Sequence, residues 1–470
     1  MIGNHRNKAN PSRREFLSLC VGAAAIPAVL APRAFATSGE SVRSSAFWKN
    51  SATPPMGWNS YDNYGGSVTE TEYLANARFM RTHLREFGYQ YAVIDYLWFD
   101  PQQAPRSVWQ RGPLTMDHFG RLLPAVNKFP SAGEENGFAP LSRKIRAMDL
   151  KFGFHIMRGI PRRAVAANSP IEGSNFTARQ AANTASTCTW NNDMFGVRGD
   201  TPAGQAYYNS LIRLYKKWGC RFIKVDDLSR PYHIAEIHAI RRALNRFGPE
   251  IVFSTSPGAT PVAEGKDIIL NANMWRIRDD FWDSWAPLND MFDLVAAWKG
   301  FAGPGHWPDL DMLCLGRIGQ RSVGGPRFTH FTKHEQQTVM SFWAMAPSPL
   351  MLGMDLTRMD PWTLSLIANR GILAINQDAA GAQAIRRIRR GFMEAWTKPL
   401  HNGDTALAIF NRGPTGGGNS RLTVSMRDLG LPASCMAYDL WRGKLIGNRE
   451  TNINTALPGH ASRLLRLSPA

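Results

Sequence analysis

The sequence predicts an α/β fold: a (β/α)8 barrel followed by a small C-terminal antiparallel β-sandwich. Eight apolar stretches of strand length recur with helical patterns between them. Together they span roughly 320 residues, within the range of such a barrel. From about residue 378 the helical periodicity fades into short β-like runs broken by Gly, Pro and Asn.

In order, the strand candidates are PPMGWNSYD (54–62), QYAVIDYLWF (90–99), KFGFHIMRG (151–159), RFIKVDD (221–227), IVFSTSP (251–257), ANMWRIRDD (272–280), GPGHWPDLDML (303–313) and PLMLGMDL (349–356). Helical patterns such as TETEYLANARFMRTHLREFG (69–88) and AGQAYYNSLIRLYKKWG (203–219) alternate with them and end in a stop glycine. Residues 53–378 therefore read as the barrel. Residues 379–470 read as the sandwich, with strands such as TALAIFNR and ASRLLRLS separated by turns such as GPTGGGNS.

The N-terminus reads as an address rather than as fold. Twin arginines (Arg13, Arg14) precede an apolar run from Phe16 to about Leu30, and Ala34-Phe35-Ala36 supplies the small-x-small cleavage pattern. The run is shorter than the ~20 residues a membrane span needs. Residues 1–36 are thus expected to be a Tat-type signal peptide, with a leader over 37–52 and a periplasmic or secreted destination without stable membrane insertion. Cys188, Cys220, Cys314 and Cys435 lie beyond that cleavage point, widely spaced, and their pairing stays open. The net charge of +18 falls to +14 once Arg6, Lys8, Arg13, Arg14, Arg33 and Glu15 leave with the signal. The basic residues are scattered, and the one dense cluster, IRRIRRG (385–391), reads as a solvated strand face, so no nucleic-acid partner is expected.

In a barrel of this kind the chemistry sits at the C-terminal strand ends. There the sequence places Asn59 and Asp62, Asp95 and Tyr96, His155 and Arg158, Lys224 with Asp226 and Asp227, Ser254 and Ser256, Arg276 with Asp279 and Asp280, and His306 with Asp309 and Asp311. Paired carboxylates, a few cations and 15 tryptophans, without a phosphate loop or a metal-ligand motif, fit glycoside hydrolysis. No cofactor is expected.

Taken together, TPPMGWNSYDNYG (53–65), FIKVDD (222–227), WRIRDDFWDSW (275–285), GPGHWPDLDMLCLG (303–316), SPLMLGMDL (348–356) and AINQD (374–378) resemble glycoside hydrolase family 27. This is a family of retaining α-galactosidases and α-N-acetylgalactosaminidases. The resemblance implies an exo-acting double displacement on terminal α-galactoside-like residues of oligo- or polysaccharides. Asp226 would be the nucleophile and Asp280 the acid/base, with Trp58, Asp95, Tyr96, His155, Lys224, Ser256 and Arg276 contacting the sugar.

On this reading Lys224 keeps Asp226 ionised by lowering its pKa and grips a sugar hydroxyl. Asp280 is expected to be buried or close to Asp226, which raises its pKa. Asp227 faces the other side of the strand as a structural residue. Three positions depart from the family pattern. Tyr96 replaces the second of two adjacent acids, Ser256 stands where the α-galactosidases have Glu, and His155 stands where Tyr is frequent. These departures keep β-L-arabinopyranosides, α-N-acetylgalactosaminides and α-glucans as alternative substrates. A non-catalytic glycan-binding protein is the remaining alternative, disfavoured by the presence of both Asp226 and Asp280.

Overall fold

A strand inside a parallel ring is covered on both faces, so its sequence is apolar almost throughout. The computed structural model describes residues 46–102, 114–133, 136–256 and 258–469, and the proposed export signal lies outside them. All eight strand candidates form strands: β1 Met56–Asn59, β2 Tyr91–Ile94, β3 Lys151–Met157, β4 Phe222–Asp226, β5 Val252–Thr255, β6 Met274–Arg276, β7 Trp307–Asp309 and β8 Leu350–Leu352. They pair in parallel in the order β7-β6-β5-β4-β3-β2-β1-β8. Leu313, just beyond β7, pairs with Leu352 of β8 and joins the two ends of the sheet.

The helices follow the strands in turn: α1 Glu70–His83, α2 Ala139–Ala147, α3 Pro202–Lys217, α4 Ile234–Phe247, α5 Gly265–Asn271, α6 Trp285–Ala297, α7 Lys333–Met345, and α8 Pro361–Ile367 with α9 Arg370–Asn376. Helix α1 starts on a capping box in which Thr69 and Glu72 exchange hydrogen bonds. Gly219, with φ +82°, closes the turn after α3 in a conformation that costs glycine little.

Side-chain parity along the strands decides what the barrel interior contains. Tyr91, Val93, Phe222, Val252, Met274, Trp307 and Met351 fill its lower part. One step further along the same inward rows come Asp95, Lys224 and then Asp226, and Arg276. The sandwich uses β9 Ile385–Arg390, β10 Met393–Pro399, β11 Thr405–Asn411, β12 Ser420–Ser425, β13 Cys435–Asp439, β14 Lys444–Glu450, β15 Asn452–Leu457 and β16 Ser462–Pro469. Six of these form one sheet, β9-β10-β11-β16-β13-β14, while β12 pairs with β15. Its own apolar core includes Leu407, Ile409, Val424, Ile453 and Leu465.

The sandwich is fastened to the barrel by aromatic and polar contacts. Phe292 and Phe342 of the barrel helices pack against Trp396 and Phe410. The buried Lys398 Nζ donates to the carbonyls of Ala344 and Ile375 at 3.0 and 2.6 Å. The arginine-rich strand β9 differs from the expectation of a purely solvated face. Arg386 and Arg389 both reach Asp293 of α6 and Glu394 of β10. Among the described residues the four cysteines beyond the proposed signal are buried free thiols. No described helix is long and apolar enough to cross a membrane.

Candidate active site

The C-terminal ends of the strands open into a cavity of about 560 Å³ walled by Tyr61, Asp62, Asp95, Tyr96, Trp190, Lys224, Asp226, Asp280, Trp282 and Asp311, among others. Seven carboxyl groups, those of Asp227 and Asp279 included, therefore share a space large enough for a sugar ring with the Lys224 ammonium and the Arg230 guanidinium.

Asp226 ends β4 with its side chain turned inward. Its Oδ2 lies 2.9 Å from His155 Nε2, and its buried Oδ1 has no hydrogen-bond partner among the described residues. Its backbone carbonyl accepts from the Arg158 amide at 3.0 Å, which fixes the strand end. Lys224, two residues earlier, instead gives its ammonium to Asp95 Oδ2 at 2.9 Å. Asp95 also accepts from Asn59 Nδ2 at 2.7 Å and from the Tyr96 amide at 2.8 Å.

The consequences differ between the two acids. Burial pushes the Asp226 carboxyl up to about 7, against the His155 hydrogen bond and the more distant Lys224 charge. Lys224 thus acts on Asp226 in the expected downward direction, but burial outweighs it and the net shift is upward. Burial also opposes ionisation of Asp95, but Lys224 and His155 overcome it and hold that acid below the ordinary range.

Behind the opposite wall, Arg276 Nη2 pairs with two acids that line it, Asp311 through Oδ2 at 2.7 Å and Asp280 through Oδ1 at 3.3 Å. Asp280 is not enclosed as expected, since its side chain is 53% exposed at the cavity mouth. Asp311 is buried and accepts the Phe281 amide at 2.7 Å, and burial pushes it up to about 7. Asp62 lies deeper, pushed well above its ordinary range by burial and by Asp311. It needs Gly353 beside it, because a Cβ there would sit 1.8 Å from its Oδ2.

Four of the sequence-predicted contacts move, the first being Arg276, which is 1% exposed and lies behind Asp280 and Asp311 rather than on the cavity wall. Trp58 shares parity with Met56, so its ring faces the helices against Tyr64 and Tyr73, fully buried, with its indole donating to the Met354 carbonyl at 2.8 Å. It does not line the cavity. Ser256 sits under Arg276, whose Nη1 donates to it at 3.3 Å, and lines a small pocket of about 20 Å³ within the barrel rather than the large cavity. His155 is 1% exposed and lies behind Asp226 rather than on the cavity wall. Tyr96 does line the cavity. Its ring packs edge-on against His155 and Trp190, and its hydroxyl accepts from Asn191 Nδ2. Asp227 also lines it, turned aside at φ +61° and paired with Arg158 at 2.9 Å.

Sequence reading missed Tyr61, Trp190, Trp282 and the role of Asp311 and Asp62 as walls. Trp190 and Asn191 belong to an insertion between β3 and α3 that forms a small sheet of Ile160–Pro161, Met194–Val197 and Ala182–Thr187. Apolar alternation is weak there, and only the Trp-Asn-Asn cluster at 190–192 marks it.

Carboxylates and aromatic walls over the C-terminal end of a (β/α)8 barrel are the layout of a glycosidase, and comparison with known proteins agrees. The α-galactosidase A family profile matches residues 195–378, and that of the α-galactosidase C-terminal β-sandwich domain matches 390–467. A β-L-arabinopyranosidase of Geobacillus stearothermophilus is 46% identical with TM-score 0.87, covering 91% of this chain and 99% of its own. A variant of it, in complex with arabinose, is 45% identical at the same TM-score over 91% and 100% of the two chains. α-Galactosidase 2 of Arabidopsis thaliana is 26% identical over 88% of this chain and 89% of its own. The chain belongs to glycoside hydrolase family 27.

Proposed function

We propose that this glycosidase removes terminal pyranosides of galactose configuration by retaining double displacement, and that it prefers β-L-arabinopyranosides, whose ring matches galactose but lacks the 6-carbon. Asp226 attacks the anomeric carbon through Oδ1, the oxygen that has no hydrogen-bond partner among the described residues. Asp280, held by Arg276 at the mouth, protonates the leaving oxygen and then activates water. A bound sugar would cover Asp280 and remove it from water, supplying the shielding that the free site lacks.

Tyr96 carries the specificity. Where a carboxylate would accept from two sugar hydroxyls, Tyr96 presents a ring wedged between His155 and Trp190 and pinned through its hydroxyl by Asn191. The arabinopyranosidase neighbour at 46% identity supports the same preference. An α-N-acetylgalactosaminide is less well supported, since Ser256 lies beneath Arg276 and not on the cavity wall.

A panel of nitrophenyl glycosides, with product anomers followed by NMR in the first minutes, tests both parts. β-L-Arabinopyranoside turned over fastest with retained configuration is the expected result. Inversion would remove the double displacement, and α-galactoside as the better substrate would remove the preference.

A further inference from the structure

Resting on Asp226 as nucleophile, we infer that His155 is a positioning residue that presents Asp226 Oδ1 for attack and stabilises Asp226 as the leaving group of the second step. His155 Nε2 and Asp226 Oδ2 are 2.9 Å apart, and both side chains are nearly sealed from solvent, at 1% and 6% exposure. The other ring nitrogen, Nδ1, is buried without a hydrogen-bond partner among the described residues. An ionised Asp226 can only accept, so the imidazole proton sits on Nε2 and points at Oδ2. Edge-on packing against Tyr96 and the Trp98 indole, which donates to the His155 carbonyl at 2.6 Å, hold the residue in place. Oδ2 is thereby occupied and Oδ1 is free.

The two halves of the reaction use this bond in opposite senses. In the first, Oδ1 forms a bond to the anomeric carbon as the bond to the leaving oxygen breaks, and that oxygen takes the Asp280 proton. Oδ2 then becomes an ester carbonyl and loses its negative charge, so the hydrogen bond weakens. In the second, water attacks the anomeric carbon and gives its proton to Asp280. The Oδ1–carbon bond breaks, its electron pair returns to the Asp226 carboxylate, and the His155 N–H meets the charge as it develops. A donor to Oδ2 therefore favours release of the sugar more than its capture. A hydrogen bond to a charged group is worth about 1.5–3 kcal/mol, or roughly 10- to 100-fold in rate.

The test uses His155→Leu and His155→Gln in the full chain with a dinitrophenyl β-L-arabinopyranoside, whose good leaving group makes the second step limiting. For His155→Leu we expect kcat to fall roughly 10- to 100-fold, KM to fall with it, and the glycosyl-enzyme to accumulate in intact-mass spectra. Added azide should restore turnover and give a glycosyl azide of retained configuration. His155→Gln, which keeps an N–H donor, should recover part of kcat.

The acid limb of kcat/KM should also move upward in His155→Leu, since the groups left facing Asp226 are Lys224, Asp280, Tyr61, Tyr96 and Cys188, of which only Lys224 is cationic. Equal losses in kcat and kcat/KM, with no accumulated ester and an unmoved acid limb, would overturn the inference. If His155→Leu does not fold, His155→Gln decides through the same ester accumulation and azide response, at smaller amplitude. Azide acting on Asp226→Gly reads the nucleophile separately. An inverted glycosyl azide upholds Asp226, and no rescue there removes the reading on which His155 rests.

Discussion

Two clusters of acids, each joining a buried carboxyl to one about half exposed (Asp293 in the first, Asp280 in the second), are treated in opposite ways by this molecule. Where the sandwich meets the barrel, Glu394 and Asp293 face Arg386, Arg389 and Arg412. Glu394 is fully buried and also receives the Trp396 indole at 2.9 Å. Asp293 is held below its ordinary range, because Arg386 and Arg412 outweigh the opposing effect of burial. At the barrel mouth, Asp62, Asp95, Asp226, Asp280 and Asp311 share Lys224 and Arg276. Burial there pushes Asp226 and Asp311 up to about 7, and Asp62 well up. The seam has more cations than it needs and the mouth has too few. A cluster that joins two layers is neutralised, whereas the one proposed to handle protons and a developing cation stays short of positive charge.

The sharpest break in the comparison is Asp226→Asn. An amide cannot form the glycosyl ester, so kcat should fall by at least about 10³-fold while the fold persists. Near-normal turnover of an activated glycoside by the variant would show that the mouth owes its charge shortage to something other than this nucleophile.

Glu394→Gln is the counterpart at the seam. Three guanidinium groups would lose a buried charged partner, and breaking such a pair costs about 3–5 kcal/mol. The expected result is a clearly lower unfolding midpoint with kcat unchanged at a temperature where the variant stays folded. A large loss of kcat with unchanged stability would mean that the seam is not the passive cluster its pairing describes.

Legibility in the sequence follows the same division. The ring was readable because parallel strands are apolar on both faces, and each of the eight runs stood out between helical patterns. Asp95, Lys224, Asp226 and Arg276 were readable as strand-end polar residues, since parity turns them inward. Trp58 was misplaced because a single aromatic on a four-residue strand does not reveal which face it takes, and its neighbour Asn59 took the inward one. The partner of Lys224 could not be read. It is chosen by β2 and β4 lying on either side of β3, which puts Asp95 nearer than the acid two residues along the same strand. The Trp190–Asn191 wall comes from an insertion with no strong period, so only folding reveals that it reaches Tyr96. The arginines of β9 showed their charge but not their acidic partners, one of which lies about 90 residues earlier in the chain.

Tyr96→Asp sharpens the comparison by adding one more acid to the mouth. A carboxylate there could accept from two hydroxyls of a galactose ring, and removal of the phenol would clear space for the 6-hydroxymethyl group. The ratio of kcat/KM for α-galactoside over β-L-arabinopyranoside should rise about 10- to 100-fold. Asn191→Ala, which removes the Asn191 hydrogen bond to the Tyr96 hydroxyl together with the acceptor of the Asp193 amide at 2.8 Å, should move the same ratio in the same direction by less. A ratio unmoved by Tyr96→Asp in a folded protein would mean that the ring does not meet the sugar.

The smallest expected effect is on stability, and its sign distinguishes the two clusters. Asp226 titrates near 7 in the folded chain, mainly because burial disfavours its charge, against about 4 for an unfolded carboxyl. Between those values the folded state holds the proton more tightly than the unfolded state. Stability therefore declines as pH rises through that window, and the full cost is present above about 7. Acids held low, such as Asp293, act in the reverse sense and lose their contribution as pH falls. Asp226→Asn removes the ionisation cost while its amide oxygen can still accept from His155. The variant should therefore melt about 1–2 °C above the parent at pH 8, and the gap should close toward pH 5, as scanning calorimetry at both values would show. A gap that stays constant with pH, or a variant less stable than the parent at pH 8, would show that the His155 hydrogen bond to the ionised acid outweighs its burial, and that the mouth is not short of positive charge at Asp226.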